Sequence, residues 1–87
     1  MKVVELTDIV QRETPIQYRR TFTATAHLSR GESAPEPKHI EFVLEHSPLG
    51  TVDVRVRLLD DVDYPLVPAI SAIKAHVRRL HENGELP

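Results

Sequence analysis

Apolar residues occupy every even position from Val52 to Leu58, with Asp53, Arg55 and Arg57 between them. Alternation with a period of two marks a strand that buries one face. Upstream, Ile40, Phe42 and Leu44 keep the same parity, and Ser47-Pro48-Leu49-Gly50 separates the two runs. Those four are turn residues, because proline fixes φ and glycine tolerates positive φ. Residues 38–46 and 51–59 therefore read as the two arms of a β-hairpin. Strands that bury even residues on one face must pair so that partner numbers sum to an even value. The expected pairing sets Glu45 against Thr51, Leu44 against Val52, Phe42 against Val54 and Ile40 against Val56. On the outer face it sets Glu41 opposite Arg55, with no like charges face to face. An opposite-charge pair across strands contributes about 0.2–1 kcal/mol.

Residues 17–28 carry a second alternating pattern. Tyr18, Phe22, Ala24, Ala26 and Leu28 share one face, and Gln17, Arg19, Thr21, Thr23, Thr25 and His27 the other. Arg20 interrupts the inner set near the strand's start, where its stem can pack while its head reaches water. Pairing Ala26 with Ile40 keeps parity and places His27 opposite His39, with Arg57 on the other side of His39. Residues 3–10 are read as a further strand, irregular near Thr7-Asp8, because β-branched Val3, Val4, Thr7, Ile9 and Val10 favour extended backbone. The spacing of Leu6, Ile9, Val10 and Glu13 leaves a two-turn helix as the alternative. Thr14-Pro15 ends either element, since the residue before proline avoids the α region.

Residues 29–37, rich in Gly, Pro and Ser, read as a mobile tether that stays out of the sheet. After the hairpin, Ile70, Ile73, Val77 and Leu80 form one apolar helical stripe. Pro68 belongs in the first turn of that helix, so the helix starts near Val67 or Pro68 and runs to about Glu82. Asn83-Gly84 supplies a left-handed cap. The fold class expected is α+β: an antiparallel sheet of three or four strands with one C-terminal helix packed on one face.

Composition narrows the setting. The 87 residues suffice for one domain, taken as residues 1–87, and not for two. A net charge of −2 provides no global basic field to draw nucleic acid or an anionic membrane. With no cysteine there are no disulfides, thiolate metal sites or thiol chemistry. No apolar run approaches the roughly 18 residues of a membrane helix, and Met1-Lys2-Val3-Val4-Glu5 lacks the apolar core of a signal peptide. A soluble cytoplasmic protein is expected.

Candidate chemistry is sparse. Asp60, Asp61 and Asp63 could offer oxygen ligands to a hard cation, but they lack the EF-hand pattern, and acids before a helix are also favoured by its dipole. Lys74, Arg78 and His81 recur along one helix flank and, with Arg55 and Arg57 on the strand, form a candidate anion or nucleic-acid surface. His27 and His39, if paired, could join it or respond to pH; as a zinc site they lack a third ligand. There is no Gly-x-Ser-x-Gly elbow and no glycine-rich phosphate loop. No enzyme, cofactor or metal is expected.

The order of elements is similar to that of purine-rich-element-binding repeats. With a helix at residues 2–12 it would resemble a double-stranded-RNA-binding domain. That family places lysines at the start of its last helix, where this chain has Tyr64-Pro65-Leu66-Val67-Pro68, so its binding residues do not carry over. The favoured reading is a non-enzymatic protein-interaction or homodimerising module. It would use an unpaired sheet edge or the small side of the helix at Ala69, Ala72 and Ala75. A weak nucleic-acid-binding domain using the basic helix flank and the Arg55/Arg57 face is the alternative.

Overall fold

In the computed structural model, which describes residues 1–13 and 16–87, the alternating segments form four antiparallel strands, adjacent in chain order. They are β1 (Lys2–Arg12), β2 (Arg19–Ser29), β3 (Glu36–His46) and β4 (Val52–Leu58), and α1 (Leu66–Glu82) follows. The expected α+β class and the strand at the N-terminal segment are both observed. With that segment a strand, the basis for a likeness to double-stranded-RNA-binding domains is gone. The expectation for Thr14-Pro15 lies outside the described residues.

Even-numbered side chains from three strands build the core. Phe22, Ala24, Ala26, Leu28, Ile40, Phe42, Leu44 and Val54 are buried against Ala69, Ile73 and Val77 of α1. Tyr18, expected inside, lies just before β2 and is 54% exposed. Arg20 behaves as its amphipathic stem predicts. Its guanidinium lies 5.1 Å from the Phe22 ring centroid and donates to the Pro87 carbonyl at 2.9 Å.

Both hairpin registers keep the expected parity but slip by two residues. In β3–β4, Leu44 faces Val54, Phe42 faces Val56 and Glu41 faces Arg57, rather than Val52, Val54 and Arg55. The turn decides this. Ser47 N–H donates to the Thr51 carbonyl at 2.9 Å, and their hydroxyls lie 2.6 Å apart, so Ser47 and Thr51 close the ladder. Gly50, at φ 86°, takes the left-handed position that ends a three-residue hairpin loop. One consequence is that Glu45 faces Asp53, a like-charge pair absent from the expected register. Arg19, 3.2 Å from Glu45, and Arg55, 3.2 Å from Asp53, offset it.

In β2–β3, Thr25 faces His39 and His27 faces Pro37, so the expected His27–His39 pair does not form. Leu59, not Arg57, lies beyond His39, donating its N–H to the His39 carbonyl at 2.9 Å. The register adopted sets Phe22 opposite Phe42 with rings stacked at 4.8 Å and 12°. The expected one would have set Phe22 against Leu44 and lost the aromatic pair. Pro37, expected in the loop, lies within β3. Its position has the same orientation as His39, whose carbonyl faces β4, and β4 has ended before it could pair there. The missing N–H therefore breaks no ladder bond.

β1 carries two register shifts, one between Val3 and Glu5 and one between Thr7 and Val10. The second includes Asp8 at φ 53°, a conformation that aspartate tolerates better than most residues. At the other end, α1 closes with Glu85 N–H on Leu80 and Gly84 N–H on His81, a Schellman cap with Gly84 at φ 68°. Pro68 lies in the first turn, as expected, but that turn holds no acid, so the three aspartates are not explained by the helix dipole.

Candidate interaction surface

The basic residues singled out in the sequence do not gather into one surface. Arg55 and Arg57 lie on the bare, odd-numbered face of the sheet, opposite the face that α1 covers. Arg57 Nη2 donates to Glu41 at 3.3 Å, and Arg55 Nε donates to Asp53 at 3.2 Å. Of the helix residues, Lys74 is exposed, Arg78 reaches back to the Val52 carbonyl at 3.1 Å, and His81 stands edge-on to His46 at 5.7 Å. His27 shares a 2.8 Å hydrogen bond with Thr7 on β1. His39 grips Asp60 twice, through its backbone N–H at 2.7 Å and Nδ1 at 2.9 Å. Most of these groups therefore serve the fold. Among the described residues no group of three or more metal-ligating side chains comes together.

Titration follows from these contacts. The His39 backbone N–H, then the His39 ring, holds the Asp60 carboxyl below its ordinary value. Burial, reinforced by Arg79, lowers the His76 pKa, and Arg79 donates to His76 Nδ1 at 3.3 Å. Burial and the Glu36 charge raise the Tyr64 phenol, while Arg30 lies 4.7 Å over its ring. Arg30 thereby ties down the loop that the composition suggested was a free tether.

The sheet edges are more informative. In β4 the ladder bonds to β3 are made by odd-numbered residues, as the closing contacts at Thr51 and Leu59 show. The N–H and C=O groups of Val52, Val54, Val56 and Leu58 therefore point away from the sheet. The first half of this edge is sealed: Arg78 occupies the Val52 carbonyl, and Val54 is only 2% exposed, backbone included. The second half is open. Val56 and Leu58 are half-buried and line a groove of about 360 Å³ with Val62, Leu66 and Ile70, beside exposed Leu59 and Val67. At the opposite edge, the two irregularities of β1 spoil it as a template for pairing. The small side of the helix is not free either, because Ala69 is fully buried.

A larger concavity of about 750 Å³ lies beside the β3–β4 turn, where Tyr18, His46 and Pro48 meet Glu45, Asp53 and Arg55. Its one hydroxyl pair, Ser47 with Thr51, already closes the hairpin. Neither the open edge nor this concavity was found from the sequence. The turn held a usable signal: glycine at the last position of a three-residue loop fixes the register, and the register fixes which backbone groups face outward.

These features define a small α+β protein in which a four-stranded antiparallel meander is closed on one face by a single helix. The chain belongs to the BB_0187 family, whose model matches residues 1–82. No curated protein and no solved structure matches it. No helix among the described residues is long and apolar enough to cross a membrane.

Proposed function

We propose that the protein is a non-enzymatic interaction module that takes a partner's extended strand onto the open half of β4. One observation carries the reading: Val56 and Leu58 turn their backbone groups outward beside an apolar groove, while the rest of that edge is sealed by α1. Main-chain bonds along such an edge supply affinity, and the neighbouring groove receives alternate side chains. The absence of cysteine agrees with a reducing compartment, and we place this activity in the cytoplasm. Nucleic acid is the weaker reading, because Arg55 and Arg57 already face carboxylates.

Val56→Pro and Leu58→Pro test the proposal. Each removes an N–H that makes no bond to β3, a change tolerated at a sheet edge. Both variants should retain the far-UV circular dichroism of the parent and lose whatever partner the parent retains from cell extract. Retention of the same partners by folded Val56→Pro and Leu58→Pro would refute the proposal.

A further inference from the structure

Resting on that reading, we infer that the strand docked on β4 is an acidic one from another protein, alternating apolar and acidic residues, and not a second copy of this chain. An added strand lies about 4.8 Å beyond β4. Its side chains on the helix side would meet Val56, Leu58 and the groove floor at Leu66 and Ile70. Those on the bare side would meet Arg55 and Arg57, both 69% exposed at their side chains. Each guanidinium has five N–H donors, so the single contacts to Asp53 and Glu41 leave room for a further carboxylate.

A second copy fits poorly. Pairing β4 with itself about a two-fold axis at Val56 sets Arg55 against Arg57 of the other copy, and an axis at Arg57 sets Arg57 against itself. Like charges directly opposite destabilise a strand pair. An axis at Val54 would set Asp53 against Arg55, but Val54 is 2% exposed and Arg78 occupies the neighbouring Val52 carbonyl. The charge-compatible register is thus the one that α1 obstructs.

The test uses two soluble peptides as probes, one alternating valine with glutamate and one alternating valine with lysine. Binding to the whole protein is followed by backbone amide shifts, at low and at high salt. The glutamate peptide should shift the Val56 and Leu58 amides and bind about tenfold more tightly than the lysine peptide, the difference expected for two cross-strand pairs. Salt should narrow that gap. Arg57→Glu should reverse or abolish the preference, and the parent alone should sediment as a monomer. Equal binding of both peptides, binding of neither, shifts confined to the β1 edge, or a parent dimer lost in Val56→Pro would each overturn the inference. The last outcome would leave the use of the β4 edge standing, whereas partner capture insensitive to Val56→Pro and Leu58→Pro removes that use itself.

Discussion

Truncating Phe42 is the sharpest probe of how the sheet is held together. Its ring is fully buried, lies across from Phe22 and stacks on it at 4.8 Å. Phe42→Ala removes that buried area and leaves a cavity under α1, a change that costs about 3–5 kcal/mol. A domain of 87 residues has about 4–13 kcal/mol in total, at roughly 0.05–0.15 per residue. The substitution therefore consumes a large share of the stability. With about 4–8 °C lost per kcal/mol in a domain of this size, the melting temperature should drop by roughly 12–40 °C. Urea unfolding followed by far-UV circular dichroism measures it. Val43→Ala, one residue away on the bare face, is the control and should cost less than about 1 kcal/mol. A double-mutant cycle of Phe42→Leu with Phe22→Leu should isolate about 0.5–1.5 kcal/mol for the stacked pair. If Phe42→Ala cost no more than Val43→Ala, the assignment of even residues to the core would be wrong. If the cycle gave no coupling, the register between β2 and β3 would be wrong.

Other outcomes follow from single contacts. Gly50→Ala should destabilise by about 1 kcal/mol through backbone strain alone, because φ is 86° and a Cβ there meets nothing within 4 Å; an unchanged urea midpoint would refute the turn geometry. His76 has a folded pKa depressed below its ordinary 6.5, so the unfolded chain binds the extra proton first. Its contribution is complete above that value and is lost as pH falls through the window down to the depressed folded pKa. His76→Gln should therefore flatten the loss of stability below pH 6.5 relative to the parent, and parallel profiles would contradict the burial of that ring.

The parts of the fold legible in the sequence were those set by one chain segment at a time. Alternation at residues 52–58 and 17–28 identifies strands because burial of one face imposes it, whatever the neighbour. Proline at position 68 and glycine at position 84 mark the helix ends because their backbone limits are local. Registers are different: parity permits every even offset, and the choice fell to the Ser47–Thr51 closure and the Phe22–Phe42 stack, contacts between segments. The mistaken His27–His39 pair followed directly from that ambiguity. The candidate surface was less legible still. An edge is open or sealed according to where α1 lies, and the reach of Arg78 to Val52 has no signature in the spacing of either residue.

Residue-resolved amide exchange of the free protein tests the open half of β4 most directly. The Arg55 and Arg57 amides, which bond across to β3, should exchange slowly. Those of Val56 and Leu58 should exchange at rates near those of exposed loops, and slow when a partner strand is bound. Val56 and Leu58 amides as protected as Arg55 and Arg57 in the dilute free protein would show that this edge is closed, and would contradict the account.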